Sequence, residues 1–403
     1  MVGLELFPDT ATARDGELEI GAVGASELAR EFGTPLVVYC EETIRARARA
    51  YRRAAPEALV VYGTKAFPNV AVMRLLAEEG LGADVSTLGE LRFAEAAGVP
   101  PERLVVHGNN KSDEELRAAA EAGAAYVVLD SVEELERARA AGVERMLARI
   151  TPGIEAETHE AIRTCHVGSK FGMSPGEALG IRGALAGLHV HIGSQLLSTA
   201  GAKQTLQWLN RFLAESGWEP DVVDLGGGLG VPTHPSESAP SIAELGGLLV
   251  GGLDTNARLI LEPGRSLVGQ AGVTLYRVGS VKRAGERIWA AVDGGLSDNP
   301  RPQLYGARYS GLLATPAQDR PELTVGIAGL HCESGDVLID AVELPEPRRG
   351  DLLAVPATGA YTLSMGSNYN AVPRSAAVLV AAGDARLIKR RETVEDLLAL
   401  EPG

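Results

Sequence analysis

The chain has 403 residues, of which 45% are hydrophobic and 23% charged, and its formal net charge is −15 at pH 7. Because this length exceeds the size at which one hydrophobic core usually suffices, we expect a soluble globular protein with two domains. The acidic balance argues against nonspecific binding to nucleic acid and against binding to an anionic membrane surface. It leaves room for a small anionic ligand, which needs only local donors.

The cysteines and the N-terminal segment indicate the cellular compartment in which we expect the protein. Cys40, Cys165 and Cys332 are too few and too scattered for a disulfide framework or a zinc site. The segment from Met1 to Asp15 has neither the basic nor the apolar region of a secretory signal. No apolar run reaches the ~20 residues of a membrane span. We therefore expect a cytoplasmic protein with no metal site and no membrane partner.

From about Thr34 to Arg265, short apolar runs alternate with alanine-rich segments of helical period. The apolar runs predict eight strands: Leu59–Gly63, Leu81–Val85, Leu104–His107, Tyr126–Asp130, Met146–Ile150, Gly187–Ile192, Asp221–Leu225 and Arg258–Glu262. The predicted helices include Glu42–Arg53, Val70–Glu79, Leu88–Ala97, Asp113–Ala122 and Val132–Ala141. Strands and helices in this alternation predict a parallel (β/α)8 TIM-like barrel over residues 34–269 rather than an open doubly wound sheet.

After Arg265 the chain changes to short strand-like runs joined by glycine, proline and aspartate turns. The predicted strands are Val273–Val281, Ile288–Val292, Leu323–Ala328, Asp336–Leu344, Leu352–Val355 and Ala376–Val380. No long helix is expected before Thr393–Leu400. Residues 270–403 therefore predict a second, mostly β domain of sandwich-like or barrel-like type, and residues 1–33, with a short strand at Leu18–Ile20, join it.

Chemically capable residues stand at the C-terminal ends of the predicted barrel strands, which is where barrel enzymes build their active sites. Lys65 follows the first strand, and its amine could form an imine with an aldehyde, although most lysines are solvated surface charges. Gly226, Gly227 and Gly228 follow the seventh strand, and their backbone N–H groups could converge on a phosphate. A tight turn is the alternative interpretation of the three glycines.

The eighth strand ends in Glu262-Pro-Gly264-Arg265. A carboxylate at Glu262 that faced a pyridine nitrogen would keep that nitrogen protonated, so that the ring could accept an electron pair. Arg265 could pair with an anionic ligand group, and an internal ion pair between Glu262 and Arg265 is the alternative. His191 could stack on a flat cofactor. It shares a strand face with His189, but no third ligand with supporting spacing favours a metal.

The predicted β domain adds a thiol and a polar loop. Cys332 and Glu333 stand in the segment Cys-Glu-Ser-Gly-Asp, and Arg301 and Tyr305 lie on the loop after Val292. A lone cysteine is usually a small buried hydrophobe, but the acidic neighbour Glu333 and the Ser-Gly-Asp turn favour a functional role for Cys332. Together these groups supply an amine, a stacking ring, a phosphate cradle, an acid and a proton donor. This set predicts a site for pyridoxal 5'-phosphate (PLP) used as an electron sink.

The set resembles the fold-type III PLP decarboxylases, and within them the diaminopimelate decarboxylases, over nearly the whole chain. Further motifs carry the resemblance: Thr158-His159-Glu160, Ser169-Lys-Phe-Gly172, and Gly359-Ala-Tyr361 through Ser367-Asn-Tyr-Asn370. The resemblance implies a barrel plus a β domain and a head-to-tail homodimer whose active sites are shared between subunits. The partners it implies are an amino-acid substrate and a second copy of the chain.

The resemblance also implies roles for single residues. Lys65 would hold PLP covalently, with Asp84 as the acid beside it, His191 stacked on the ring and Glu262 facing the ring nitrogen. The remaining cofactor contacts would come from Ser194, Gly226, Gly227, Gly228, Gly264, Arg265 and Tyr361. Cys332 of the partner subunit would protonate the carbon that loses CO2. The substrate would contact Arg265, Arg301, Tyr305, Glu333 and Tyr361.

The substrate interpretation rests on the two charged ends of an amino-acid group. Arg301 can receive a distal carboxylate and Glu333 a distal ammonium, which predicts decarboxylation of meso-2,6-diaminopimelate to L-lysine. The alternatives are a PLP decarboxylase for carboxynorspermidine, arginine, ornithine or a carrier-bound amino acid, and a PLP-binding regulatory protein without turnover. A racemase is a further alternative, and Glu262 argues against it. The sequence departs from the family pattern at Gly63, Phe67 and Cys165.

Overall fold

A computed structural model describes residues 3–153, 168–191 and 193–403. The motif Thr158-His159-Glu160 and the departure at Cys165 lie outside the described residues. The chain divides into two compact units, which we call the β unit and the barrel unit. The β unit comprises Met1–Ile44, Val231–Ser238 and Val268–Gly403, and the barrel unit comprises Arg45–Gly230 and Ala239–Leu267.

The β unit begins with short elements. These are β1 (Thr12–Arg14), β2 (Glu17–Ile20), β3 (Val23–Gly24), α1 (Ala25–Phe32) and β4 (Leu36–Cys40). Helix α2 (Glu41–Ala54) then carries the chain into the barrel unit. Strands β1, β2 and β3 form a small antiparallel sheet.

The barrel unit contains the predicted parallel barrel. Its strands are β5 (Leu59–Gly63), β6 (Gly82–Val85), β7 (Leu104–Val106), β8 (Tyr126–Leu129), β9 (Met146–Arg149), β10 (Gly187–His189), β11 (Val222–Asp224) and β12 (Arg258–Leu261). They close in the order β5 to β12, with β12 pairing parallel to β5. This arrangement confirms the predicted barrel. The strand bounds agree to within one residue at each end, a margin normal for element boundaries, except that β10 ends at His189 and was predicted to extend to Ile192.

Helices connect the barrel strands in the described parts of the chain. They are α3 (Val70–Glu78), α4 (Leu88–Ala97), α5 (Asp113–Glu121), α6 (Glu134–Ala140), α7 (Pro175–Ile181), α8 (Ala200–Ser216) and α9 (Ile242–Gly252). Local sequence explains where several begin. Ser112, Ser174 and Ser241 each form a capping box with a glutamate three residues later, which satisfies free N–H groups of the first turn.

The register of the barrel places polar residues at one level. Asp84 at the end of β6 pairs with Gly63, and Asp224 at the end of β11 pairs with His189. Below them lies a buried apolar cluster that includes Val105 and Val222. Because strand residues two apart share a face, Asp224 lies on the same face as Val222. The polar groups therefore cap the apolar interior of the barrel at the C-terminal ends of its strands.

Helix α10 (Arg265–Val268) leads from the barrel to the second part of the β unit. The elements that follow are β13 (Gly272–Ala284), β14 (Arg287–Val292), α11 (Arg301–Tyr305), β15 (Leu312–Leu313), β16 (Glu322–Ala328), β17 (Val337–Pro345), β18 (Leu352–Val355), β19 (Ala376–Ala381), β20 (Asp384–Lys389) and α12 (Val394–Leu398). Strands β17, β16, β14, β13, β4, β19 and β20 lie in that order in one sheet, and β18 pairs with β13 and β15. The prediction of a separate, mostly β part is confirmed.

The long strand β13 contributes to two buried clusters. Val273 and Leu275 belong to the cluster that includes β4 and β19, whereas Tyr276 and Val278 belong to the cluster that includes β14 and β16. Because residues of this one strand are buried in both clusters, β13 contributes to the stability of each.

The predicted boundary at residue 34 differs from the observed one. Strand β4 pairs antiparallel with β13 and parallel with β19, so Leu36–Cys40 lies in the sheet of the β unit and not in the barrel. The segment Val231–Ser238 also belongs to the β unit. In the described parts of the chain, no helix combines the length and the apolar character needed to cross a bilayer.

Candidate active site

Lys65 lies at the open end of the barrel, in the 3-10 turn Thr64–Ala66 that follows β5. The Thr64 hydroxyl donates a hydrogen bond of 2.7 Å to the Asp84 carbonyl, which ties this turn to β6. The Lys65 Nζ lies 3.5 Å from Asp84 Oδ2, and the lysine side chain is 52% exposed while that of Asp84 is 2% exposed. The amine can therefore be reached from outside while its counter-charge is buried.

Asp84 is buried and His191 half-buried, and the pKa of each is shifted from its usual value. Burial raises the pKa of Asp84, and the opposing charge of Lys65 offsets part of that rise. Burial also lowers the pKa of His191 well below its usual value, and Lys65 lowers it further. The His191 ring therefore stays neutral at physiological pH and lies nearly parallel to the His189 ring, at 21° and 6.4 Å between centroids. A neutral flat ring suits stacking on an aromatic cofactor.

The three glycines after β11 occupy space that no side chain could share. A Cβ on Gly227 would lie 2.1 Å from the carbonyl oxygen of Glu262, and one on Gly228 would lie 2.3 Å from that of Gly193. Gly226 and Gly228 also have φ values of 64° and 119°, which favour glycine. Half-buried Ser194 directly follows Gly193, beside this loop. The loop is thus a bare-backbone cradle of the kind that binds phosphate.

Glu262 follows β12 and is buried among histidines. Its Oε1 lies 2.5 Å from Nε2 of His107, and its Oε2 lies 3.6 Å from Nε2 of His189. Burial by itself would raise the pKa of Glu262, but the interaction with His107 outweighs it and holds that pKa well below its usual value. Glu262 therefore remains an anion in the barrel interior, as a partner for a protonated ring nitrogen must be.

Gly264 and Arg265 continue the chain after Glu262. The Gly63 N–H donates a hydrogen bond of 3.0 Å to the Pro263 carbonyl, which joins this segment to β5. At position 63 many members of the family that the chain resembles have alanine. A Cβ at Gly63 would lie 3.5 Å from the Gly264 Cα, which is an ordinary contact, so an alanine would also fit here. Arg265 is half-buried and begins α10.

Arg301 is the first residue of α11 in the β unit, and it is unusual because it is buried with spare hydrogen-bonding capacity. The residue is 5% exposed, and its Nε and Nη1 have no hydrogen-bond partner among the described residues. A buried guanidinium without full pairing is energetically costly, so this arrangement points to an anion supplied from outside the chain. Tyr305 ends the same helix and is half-buried.

Cys332 and Glu333 lie on the turn between β16 and β17, and both are exposed on the single chain. The carboxylate of Asp336 holds this turn. Its Oδ1 accepts a hydrogen bond of 2.7 Å from Leu296 N–H, and its Oδ2 accepts one of 2.8 Å from His331 N–H. The thiol therefore stands on a firmly held turn rather than on a loose loop.

Tyr361 lies in the β unit after Gly359 and Ala360. Its φ of 57° is left-handed, which is uncommon for a residue with a side chain and recurs at functional sites. The segment is held in place because the buried Tyr39 hydroxyl donates a hydrogen bond of 3.0 Å to the Gly359 carbonyl. Thr362 also donates a short hydrogen bond to the Thr358 carbonyl.

The structure thus groups the predicted residues into two sets, one in each unit. At one end of the barrel it brings together Lys65, Asp84, His191, Ser194, Gly226, Gly227, Gly228, Glu262, Gly264 and Arg265. The β unit carries Arg301, Tyr305, Cys332, Glu333 and Tyr361. The barrel set fits PLP: an accessible amine, a buried anion and a cradle that a Cβ would fill.

The sequence interpretation missed His107 and Asp224. One polar side-chain atom (a ring nitrogen or a carboxylate oxygen) from each of His107, His189, Asp224 and Glu262 lies within 4.8 Å of the others, and all four residues are buried. Spacing along the chain does not reveal this cluster, because its members come from the ends of four different strands. The available sequence signal is their position, since each is a polar residue at the C-terminal end of a barrel strand.

Comparison with known proteins gives consistent results. Residues 41–269 match the family described as "Pyridoxal-dependent decarboxylase, pyridoxal binding domain". A diaminopimelate decarboxylase from Actinosynnema pretiosum subsp. auranticum is 45% identical over 419 residues, covering 98% of this chain and 95% of the relative. One from Mycobacterium tuberculosis is 44% identical over 431 residues, covering 97% and 96%. The solved diaminopimelate decarboxylase from M. jannaschii in co-complex with L-lysine superposes with a TM-score of 0.92 at 35% identity, covering 98% of each chain.

Proposed function

Because the chain belongs to the diaminopimelate decarboxylases, a family of pyridoxal-dependent decarboxylases, we propose that it removes CO2 from meso-2,6-diaminopimelate and releases L-lysine. The cofactor is PLP. The observation that carries the substrate assignment is the buried guanidinium of Arg301, whose Nε and Nη1 find no hydrogen-bond partner in the described parts of the chain. Diaminopimelate has a second carboxylate that such a group can bind, whereas ornithine and lysine have none.

The barrel residues divide the work of holding the cofactor. Lys65 would hold it covalently, His191 would stack on its ring, and Glu262 would face its ring nitrogen. Gly226, Gly227 and Gly228 would bind its phosphate, with Ser194 and Tyr361 as further contacts. When bound, PLP withdraws the electron pair that remains on the substrate carbon as CO2 leaves. The neutral His191 ring and the bare glycine backbone support these assignments.

The β unit supplies most of the substrate contacts and the proton, and the barrel unit adds Arg265. Arg301 binds the distal carboxylate and Glu333 the distal ammonium, with Arg265, Tyr305 and Tyr361 completing the contact set. The Cα–carboxylate bond breaks and its electron pair stays on the carbon, which then takes the thiol proton of Cys332. The exposure of the thiol on a turn held by Asp336 supports this role.

The enzyme works as a head-to-tail homodimer in the cytoplasm, with Cys332 and Glu333 entering the active site of the other subunit. Mixing two inactive variants tests this sharing. If Lys65→Ala and Cys332→Ala chains assemble at random, half of the dimers are mixed and each mixed dimer holds one intact site, so about a quarter of the sites recover. Recovery of no activity from a mixture shown by mass spectrometry to contain mixed dimers would contradict shared sites.

The substrate assignment is tested with purified, PLP-loaded protein. CO2 release is measured with meso-, L,L- and D,D-diaminopimelate, L-lysine, L-ornithine and L-arginine, and lysine is detected as the product. We expect turnover of the meso isomer to exceed that of the single-carboxylate amino acids by roughly 100-fold or more, because the buried guanidinium stays unpaired with them. Equal turnover of lysine or ornithine would refute the assignment.

A further inference from the structure

His107 lies directly against the carboxylate that faces the cofactor. It follows β7, its N–H donates a hydrogen bond of 2.8 Å to the Val85 carbonyl, and its ring reaches Glu262 at 2.5 Å from Nε2 to Oε1. Both side chains are almost completely buried, at 7% and 4% exposure. At this distance a proton must lie between the two atoms, so either the imidazole nitrogen or the carboxyl carries it.

The neighbouring groups decide where that proton resides. Three carboxyl groups come close at this end of the barrel: Asp84, Asp224 and Glu262. Burial raises the pKa of Asp84 and raises that of Asp224 well above its usual value, and the nearby Glu262 raises the latter further. Asp224 accepts a hydrogen bond of 2.8 Å from Gly226 N–H at Oδ1, while no donor among the residues that the structure describes reaches its Oδ2. Asp224 is therefore the group that is protonated, and Glu262 is the anion.

His189 cannot replace His107 as the donor to this anion. Its Nε2 lies 3.6 Å from Glu262 Oε2, which is too long for a hydrogen bond, and within residues 3–153, 168–191 and 193–403 neither of its ring nitrogens has a hydrogen-bond partner. Burial lowers the pKa of His189 to about 3, so this ring carries no charge at physiological pH. The rings of His107 and His189 meet edge to face, at 4.8 Å and 72°. His189 therefore packs against His107 and helps to fix its orientation.

A donor at Oε1 has a chemical consequence for the cofactor. A carboxylate that accepts a hydrogen bond has a lower affinity for a further proton, so the proton between Glu262 and a ring nitrogen resides on the nitrogen. Without that donor, the buried carboxylate would gain proton affinity and could take the proton from the ring. A ring without the proton is a weaker electron sink.

We propose that His107 is a positioning residue whose Nε2–H donates a hydrogen bond to Glu262, holding this carboxylate ionised so that the ring nitrogen of PLP stays protonated. The inference rests on the proposed function, because it takes Glu262 as the partner of the ring nitrogen. It gives a role in the reaction to a buried histidine that the sequence interpretation did not identify.

The test compares His107→Leu, which removes the donor, with His107→Gln, whose amide can replace it. Protein reconstituted with ring-15N-labelled PLP reports the protonation of the ring nitrogen by NMR. We expect a protonated nitrogen in wild type and His107→Gln, and a deprotonated one in His107→Leu. For His107→Leu, kcat should fall by about 10- to 100-fold with KM changed by less than about 3-fold, and the glutamine should recover most of the loss.

Asp224→Asn is the matched control, because it is nearly isosteric and replaces a group that we infer to be uncharged. It should keep the ring nitrogen protonated. A protonated nitrogen with unchanged kcat in His107→Leu, or an equal loss in the glutamine and leucine variants, would overturn the proposal. If the leucine variant does not fold, the histidine 15N spectrum of the wild type still tests it, because His107 must carry its proton on Nε2.

Two further results separate this proposal from other uses of the same residues. A wild-type protein that binds PLP with a protonated ring nitrogen but forms no lysine would refute the proposed function and leave the His107 hydrogen bond supported. Dialysis of the PLP-free protein against Zn2+ tests whether the four groups hold a metal instead. Retention of one zinc ion per chain would overturn the proposal, since a metal would replace the Nε2 proton, whereas loss of all zinc supports it.

Discussion

The barrel unit and the β unit differ in whether their functional groups are already paired with neighbouring side chains. In the barrel unit the polar groups already face one another: Lys65 lies beside Asp84, and Glu262 beside His107. In the β unit Arg301 is buried with two unpartnered nitrogens, and the thiol of Cys332 is exposed. One set of groups is paired internally, and the other has capacity to bind a further molecule.

This difference matches two kinds of ligand. A cofactor that remains bound through many turnovers is best served by groups that are already oriented and whose protonation is already decided. A substrate that enters and leaves needs groups that regain their unpaired state after each turnover. Arg301 lies five residues after Leu296, whose N–H donates a hydrogen bond of 2.7 Å to Asp336, and this bond anchors the segment before the helix of Arg301.

Replacing Lys65 tests the barrel side of the comparison and should have the largest effect. In Lys65→Arg the positive charge beside Asp84 is kept but the nucleophilic amine is lost. We expect kcat to fall by roughly 10,000-fold or more, because the covalent attachment of PLP is removed. Borohydride treatment followed by peptide mapping should label Lys65 in wild type and no lysine in the variant. A label on another lysine of the wild type would contradict the assignment.

Replacing Cys332 tests the β side. In Cys332→Ala the proton donor is removed while the barrel groups are untouched, so kcat should fall by about 100- to 1,000-fold with PLP affinity unchanged. Cofactor binding is followed by its absorbance, and activity by CO2 release. Cys40, which is buried, provides the matched control, since Cys40→Ala should leave the rate within about 3-fold of wild type. A comparable loss in both variants would mean that the thiol effect is structural.

The unpaired state of Arg301 can be tested by comparing it with a paired arginine of the same unit. Arg301→Met should raise KM for meso-diaminopimelate by about 10- to 100-fold without lowering the melting temperature, because no internal partner is lost. Arg320→Met should do the reverse, since Arg320 pairs with Asp351 at 2.5 Å and its loss leaves a largely buried carboxylate unpaired. If Arg301→Met unfolds as readily as Arg320→Met, the guanidinium is structural and the comparison fails.

The smallest expected effect concerns the helix caps of the two units. Ser112→Ala removes the capping box of α5, a helix with buried residues between two barrel strands, and should lower the free energy of unfolding by about 1 kcal/mol. Thr393→Ala removes the cap of α12, a short helix without buried residues near the C-terminus, and should leave global unfolding unchanged. Denaturant titrations measure both, and Ser112→Asp, which can still cap, should restore most of the first loss.

Much of the fold could be predicted because its signals are local. Strand β5 was predicted with its observed bounds, Leu59–Gly63, and so was α4, Leu88–Ala97, since the periodicity that predicts each element lies within the segment itself. Lys65, Glu262 and the three glycines could be identified because a parallel barrel places the ends of all its strands together. Knowing the fold class was enough to bring these distant residues to one face.

The tertiary structure decided what depends on distant partners. Strand β4 belongs to the β unit because it pairs with Gly272–Leu275 and Ala376–Val380, more than 200 residues away along the chain. The local sequence of Leu36–Cys40 predicts a strand but does not predict these partners. The contact of His107 with Glu262 depends likewise on barrel closure, which places the two residues 155 positions apart in sequence at hydrogen-bond distance. Periodicity and strand-end position belong to single segments and can be read from the sequence. Strand partners and the protonation of a buried cluster exist only once the chain has folded, because they are properties of groups brought together in low dielectric.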